Sequence, residues 1–291
     1  MKPNSHVSIL LLAFALPYSL NAEMLGVFIS THIHGVGYEF EISRDRLEKT
    51  PVWKPDTEPP LLPGKASVIA IAQFRELISN PSPSDIIITE AIYLRAITPD
   101  HWIYIFQLNR LENTAGLSFL TEIPVLMDGT TIQPGPFRQG AKRRMDPYSL
   151  PTTINYESKG ITFITSVFNV NYEFKMPYAR LVRTPAWKPG TEPALLPGKA
   201  RSIAAAQIKQ LLSKAPETPP KAYSPMDELS VASREVILKP IDDGYLPDTH
   251  WIYLINLDLR TGPIGPDVPG PPCVVPVLMD GTTITPLRIK K

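Results

Sequence analysis

The pattern of apolar and polar positions predicts one amphipathic helix in each half of the chain. Apolar residues recur at i, i+3, i+4, i+8, i+11 and i+12, which places them on one helical face. Pro63 and Pro197 suit the first turns of these helices. A helix with one apolar face is expected to lie on a sheet. The face consists of Ala66, Ile69, Ala70, Phe74, Leu77 and Ile78, and later of Ala200, Ile203, Ala204, Ile208, Leu211 and Leu212.

Runs rich in β-branched and aromatic residues predict the strands of that sheet. One β-type stretch precedes each helix, and in the second case it runs from Gly160 to Phe174. Three strands follow each helix. They are Ile86 to Leu94, Trp102 to Leu108 and Ile123 to Ile132, then Val231 to Leu238, Trp251 to Leu259 and Val274 to Ile284. The expected fold is α+β, with two tandem copies of a β-α-β-β-β unit in which one helix packs on an antiparallel sheet.

The two predicted units share long motifs. Residues 26–79 match residues 160–213 at a constant shift of 134, and roughly half of the positions are identical, which predicts a gene duplication. A residue kept in both copies is expected to serve the fold. The Asp-Gly pairs are typical of tight turns, and the two tryptophans between prolines are expected to plug an edge of the core. This structural signature comprises Trp53, Trp187, Trp102, Trp251, Asp128, Gly129, Asp280 and Gly281.

The first 22 residues have the layout of a secretory signal peptide. Lys2 is followed by an apolar run from Val7 to Leu16, then by Pro17 and a short stretch that ends at Ala22. The run is too short to span a bilayer, which needs roughly 20 residues. We therefore expect export to the periplasm or the exterior and no integral membrane segment after cleavage. An uncleaved N-terminal anchor is the alternative.

The predicted organisation follows from these features. It comprises a signal peptide (1–22), a first α+β repeat (23–134), a Pro/Gly-rich basic linker (135–159) and a second α+β repeat (160–291). The linker contains Lys142-Arg143-Arg144.

The charge and the cysteine content argue against some classes of partner and chemistry. Lys and Arg total 29 against 28 Asp and Glu, so no strong field attracts nucleic acid, and we expect no nucleic-acid partner. A single cysteine, Cys273, excludes an intramolecular disulfide. Its neighbours supply neither a base nor a cation to lower the thiol pKa, which favours a buried strand position over a reactive nucleophile.

The element order, the aromatic strand and the terminal apolar strand ending in Asp-Gly resemble cystatin-like and PepSY-like domains. This resemblance implies an antiparallel meander wrapped around one helix, in domains that often occur in exported bacterial proteins. Cystatins block cysteine proteases with a Gln-Val-Gly loop, which has no counterpart between the predicted strands. The resemblance therefore assigns an inhibitory role to no residue of this chain.

The sharpest local feature is His32-Ile33-His34. Imidazoles at i and i+2 lie on one face of a strand, and such a pair can share a metal ion. Glu39 or Glu41 would have to complete the site. The second copy has no histidine at these positions, and a solvated strand face is the alternative interpretation.

Two further histidines, His101 and His250, precede the aromatic strand in each copy. Asp100 beside His101 is compatible with a general base oriented by a carboxylate. No Ser, Cys or Thr nucleophile recurs with them, so we expect loop histidines that hydrogen-bond at the strand start. Gln73 and Gln207 lie on the apolar helix face in both copies and could line a small polar pocket. We expect instead that a strand backbone group satisfies each amide.

Shared core residues without shared catalytic residues predict a non-catalytic binding or protein-interaction module. Its expected partner is a protein or envelope component, and no cofactor is expected. The candidate binding residues are His32, His34, His101 and His250. One alternative is a metal-dependent protein or enzyme that uses the first repeat. Another is a protease-inhibitor-like module, on fold resemblance alone.

Overall fold

The computed structural model describes residues 27–33, 36–78, 86–98, 100–111, 120–137, 152–157, 159–167, 170–213, 229–241, 250–261 and 272–289. The predicted signal peptide, His34 and the basic run at 142–144 lie outside these residues. We call residues 27–137 the first half and residues 152–289 the second half.

The described residues form a mixed α+β protein whose strand pairs are antiparallel. The first half contains β1 (Val27–Ile33), β2 (Val36–Ile42), α1 (Arg44–Glu48), α2 (Pro63–Leu77), β3 (Ile86–Ala96), β4 (Trp102–Leu111), β5 (Thr121–Leu126) and β6 (Gly135–Pro136). The second half contains β7 (Thr152–Glu157), β8 (Gly160–Val167), β9 (Val170–Pro177), α3 (Tyr178–Leu181), α4 (Pro197–Ser213), β10 (Leu229–Ile241), β11 (His250–Thr261), β12 (Pro272–Leu278) and β13 (Leu287–Arg288).

The predicted β-α-β-β-β order is corrected at its start. The stretch before each long helix consists of two strands, because β1 pairs with β2 and β8 pairs with β9. The register joins Ile33 to Val36 and Val167 to Val170, so only two residues separate the strands of each hairpin. The apolar pattern continues across so short a connection. It therefore gives no sign that the strand ends there.

Residues 135–159, predicted to be a linker, contribute two strands. β6 pairs with β2, and β7 pairs with β8 from Thr152–Thr165 to Glu157–Gly160. The second half consequently has the four-stranded sheet β13-β9-β8-β7, whereas the corresponding sheet of the first half has the order β1-β2-β6.

A six-stranded sheet joins the halves, in the order β12-β11-β10-β3-β4-β5. At the join, β3 pairs with β10, so that Ile92 faces Leu238 and Leu94 faces Val236. Ile92 and Val236 occupy equivalent positions in the two halves, as do Leu94 and Leu238. Each pair therefore repeats the other with the halves exchanged, which indicates an approximate two-fold axis through the join.

The helices α2 and α4 pack on this sheet through their predicted apolar faces. Ala66, Ala70 and Phe74 are buried, and the equivalent residues of α4 are buried with them in one continuous core. On β4 the alternate residues from Trp102 to Leu108 are buried, but so are Ile103 and Ile105 on the opposite face. Within the described residues, no helix combines the length and the apolar character needed to cross a membrane.

The Pro-rich segments before the helices are anchored by tryptophan. Trp53 packs edge-on against Trp102 with ring centroids 4.8 Å apart, and its Nε1 donates a hydrogen bond to the Thr57 carbonyl at 3.1 Å. Trp187 likewise donates to the Thr191 carbonyl at 2.9 Å and packs against Trp251. Each tryptophan thus fixes a loop carbonyl as well as filling the core.

Each of these two carbonyls lies against the first turn of the long helix of the other half: Thr57 against α4 and Thr191 against α2. A Cβ placed on Gly198 would lie under 3.0 Å from the Thr57 carbonyl, and a Cβ on Gly64 would lie equally close to the Thr191 carbonyl. Real Cβ atoms essentially never come so near another atom. Only glycine therefore permits these two approaches, which we call the reciprocal loop contact.

One buried ion pair crosses the join between β3 and β10. Arg95 donates from Nε and Nη2 to Glu235 Oε1, at 2.9 and 2.6 Å. The side chains are 13% and 3% exposed. Burial raises the pKa of the Glu235 carboxyl, and the charge of Arg95 opposes that rise.

Candidate functional site

The structure describes only one residue of the predicted histidine pair, His32. His32 is exposed on β1 and its register partner is Gly37, while Glu39 and Glu41 follow at alternate positions of β2, opposite Ser30 and Phe28. Among the residues that the structure describes, no group of three His, Cys, Asp or Glu side chains is arranged to hold a metal ion. His34 lies outside them, so its predicted role stays a prediction.

His101 lies just before β4 and His250 is the first residue of β11, and each contacts a threonine. His101 Nδ1 lies 3.1 Å from Thr98 Oγ1, and His250 Nδ1 lies 3.3 Å from Thr184 Oγ1. The Thr184 hydroxyl donates its hydrogen to the Leu181 carbonyl at 2.7 Å, so His250 Nδ1 must donate to Thr184. Both contacts join the start of an aromatic strand to neighbouring backbone.

The Asp-Gly pairs form tight turns that an arginine holds. Asp128-Gly129 has φ +81° at the glycine, and Asp128 Oδ1 accepts from the Thr130 amide and hydroxyl. Burial raises the pKa of Asp128, but the bonds from Thr130 and the charge of Arg46 outweigh it, so the pKa lies below its ordinary value. Arg46 Nη2 donates to Asp128 Oδ2 at 2.9 Å. At the Asp280-Gly281 turn the equivalent Arg180 donates instead to the Thr282 hydroxyl and the Thr283 carbonyl, at 3.1 and 2.8 Å.

Cys273 is a buried residue of β12, and burial raises its thiol pKa to about 12, while a hydrogen bond with Thr165 opposes the rise. Since the thiolate is the reactive form, we expect the folded protein to resist iodoacetamide at pH 8. Mass spectrometry should find no adduct in the native protein and one adduct in urea. Rapid native labelling would contradict this placement.

An open groove of about 990 Å³ lies in the second half, between α4 and the chain that follows β12. Its floor is the helix face that carries Ile203, Ala206 and Leu211. Tyr172 of β9 and Arg288 of β13, which pair in register, also line it. A concave surface of this size with an apolar floor and a few polar groups is typical of ligand sites.

Gln207 supplies an unpartnered acceptor in this groove. Its Nε2 donates to the Ile284 carbonyl, as Gln73 Nε2 does to the Ile132 carbonyl, so a strand carbonyl satisfies one end of each amide. Gln207 Oε1 is buried and has no hydrogen-bond partner in the structure, and the same is true of Gln73 Oε1 in the first half. A buried acceptor without a partner is energetically costly, and a donor entering the groove would relieve that cost.

The groove lining is largely repeated in the first half. Nine of the twelve lining residues have an identical residue at the equivalent position, among them the tyrosine, the glutamine and the threonines after Gly281. The three differences lie at the rim and change its charge. Gln210, Thr285 and Arg288 stand where the first half has Glu76, Gln133 and Pro136.

Comparison of the chain with protein-family models, with curated proteins and with solved structures finds no match.

The sequence pointed to part of this groove, because Gln73 and Gln207 interrupt the apolar helix faces and could line a small polar pocket. The other lining residues outside α4 come from β9 and from residues 281–288, which are far from α4 in the chain, so no local pattern reveals them.

Proposed function

We propose that this protein is an exported, non-catalytic binding module that arose by tandem duplication of a β-β-α-β-β-β unit. The long shared motifs support the duplication, and the layout of the first 22 residues supports export. On this proposal the residues common to both halves maintain the fold and the shape of the groove, while the rim residues determine what each half binds.

The observation that carries the binding function is the groove of the second half. Its lining combines an apolar floor, the unpartnered Gln207 Oε1 and the cationic Arg288. These groups fit a small amphipathic ligand whose apolar part lies on Ile203 and Leu211. An acidic group of that ligand would pair with Arg288, and a donor group would reach Gln207.

An anionic naphthalene sulfonate dye is a suitable probe of this chemistry. We expect saturable fluorescence enhancement with one dye per chain. Ala206→Trp should abolish it, because Ala206 is an exposed groove residue and the indole would fill the space above the floor. Arg288→Glu should weaken binding by about tenfold, since it replaces a charge-assisted bond with repulsion.

The matched control is Ala72→Trp in the first half. Ala72 occupies the equivalent helix position, but the neighbouring rim carries Glu76 and lacks the arginine, so this variant should bind the dye normally. Equal dye binding by Ala206→Trp and the wild type would disprove the groove site. Turnover of a substrate that disappears on replacement of one side chain would disprove the non-catalytic assignment.

A further inference from the structure

The groove of the second half has a counterpart in the first half, between α2 and residues 129–136. The distance from the tight turn to the helix is the same in both. A Cβ placed on Gly129 would lie 3.6 Å from Ile69 Cδ1, and a Cβ placed on Gly281 would lie 3.6 Å from Ile203 Cδ1. The turn and the helix floor therefore stand in the same relation in the two halves.

This counterpart is open to solvent in the same way as the groove. Ten of the twelve lining positions have the same degree of exposure as their equivalents, so the surface is accessible in both halves. Ala72 is exposed like Ala206, and Ile69 is half-buried like Ile203. The first half thus presents an accessible apolar floor of the same composition.

Gln73 supplies an unpartnered acceptor at this surface. The residue is only 3% exposed, and its Oε1 is buried without a hydrogen-bond partner among the described residues. Its Nε2 donates to the Ile132 carbonyl as Gln207 Nε2 does to the Ile284 carbonyl. Because equivalent carbonyls hold the two amides, their Oε1 atoms take equivalent places. A ligand N–H that reached Gln73 Oε1 would relieve the cost of burying this acceptor.

The charge at the rim is opposite in the two halves. Glu76 lies three residues after Gln73, so the two side chains share one face of α2, whereas the neutral Gln210 takes the place of Glu76 in the second half. Pro136 stands where the second half has Arg288. The substituted positions thus carry one negative charge in the first half and one positive charge in the second.

Nearby cations do not reverse this difference. Arg46 donates to the Asp128 carboxylate at 2.9 Å, so a carboxylate already balances its charge. Arg75 is exposed and lies about 100° round the helix from Glu76. Lys209 takes the place of Arg75 in the second half, so this position contributes the same charge to both halves. The negative rim of the first half is therefore set by Glu76.

We propose that the first half binds a different class of ligand, a small amphipathic amine, at this surface. The apolar part of the amine lies on Ile69 and Leu77, its positive charge pairs with the Glu76 carboxylate, and an N–H donates to Gln73 Oε1. The need for an N–H favours primary and secondary amines over quaternary ammonium ions, which carry no donor. This site rests on the proposed binding function and extends it to the other half of the chain.

Dansylcadaverine, a primary amine attached to an apolar naphthalene, is a suitable probe. We expect saturable fluorescence enhancement with one probe per chain. Ala72→Trp should abolish it, because the indole would fill the space above the floor, whereas the matched variant Ala206→Trp should bind the amine normally. The N-acetylated probe, which has lost the positive charge, should bind the wild type about tenfold more weakly. This last comparison does not depend on the folding of any variant.

Exchange of the rim residues tests whether their charge selects the ligand. The double variant Gln210→Glu, Arg288→Gln should bind a second dansylcadaverine and lose the anionic dye. Equal amine binding by the wild type and Ala72→Trp, or equal binding of the amine and its acetylated form, would overturn the proposal. The anionic dye reports on the groove of the second half. Amine binding that Ala72→Trp abolishes would therefore support this site even if the dye failed to bind, and the two failures are distinguishable.

Discussion

Replacing Gly198 with alanine is expected to lower the free energy of unfolding by about 3 kcal/mol. The new methyl group would overlap the Thr57 carbonyl, which Trp53 Nε1 fixes in place. On helix propensity alone the same change would stabilise α4 by about 1 kcal/mol. The expected change in the free energy of unfolding is therefore opposite in sign to that of an ordinary helical glycine. Urea unfolding followed by circular dichroism measures this change.

The matched controls are neighbours on the two helices. Lys199→Ala changes an exposed residue next to Gly198 and should alter stability by less than about 0.5 kcal/mol. Gly64→Ala should be destabilising like Gly198→Ala, because its Cβ would meet the Thr191 carbonyl. A stability gain in Gly198→Ala would show that the Thr57 loop does not lie against α4.

Replacing Arg95 with methionine is expected to cost about 3 kcal/mol at pH 7, because it leaves the Glu235 carboxylate buried without its partner. Burial already raises the pKa of Glu235, and removal of Arg95 takes away the charge that opposes this rise. A carboxyl whose pKa is higher in the folded state loses stability as pH rises above its unfolded pKa of about 4.3. The deficit should thus be smallest near pH 4 and grow towards pH 7.

The double variant Arg95→Met, Glu235→Leu is the control for this ion pair. It removes both charges, so most of the lost stability should return and the pH dependence between 4 and 7 should flatten. Urea unfolding across that range measures both effects. A single variant as stable as the wild type at pH 7 would show that Glu235 is solvated and that the ion pair does not cross the join.

The sequence predicts the helices and the strands that follow them because both have strong local patterns. The stripe from Ala66 to Ile78 has helical spacing, and its buried residues contact the sheet as expected. In the aromatic strand Trp102, Tyr104, Phe106 and Leu108 lie on one face and are buried, although Ile103 and Ile105 on the other face are buried too. These elements depend mostly on residues a few positions apart, which is the range that a pattern reports.

The join and the reciprocal loop contact are beyond such patterns. The pairing of β3 with β10 brings together residues about 140 positions apart, and nothing local distinguishes it from an exposed edge. The Pro-Gly pair at the start of each long helix predicts only a first helical turn. The structure shows why the second residue is glycine, because a carbonyl from the other half lies where a Cβ would be. The candidate site depends on the same kind of long-range placement, which is why the sequence pointed to Gln207 but not to the groove that it lines.

The reciprocal loop contact has a consequence for the history of the chain. A carbonyl from the other half lies against each helix start, and the central sheet contains strands from both halves. A half-length ancestor would have exposed these surfaces and satisfied them by pairing with its own copy. On the proposed duplication, gene fusion would have turned a subunit interface into a domain interior. The two rims could then diverge independently, because separate parts of the fused gene encode them.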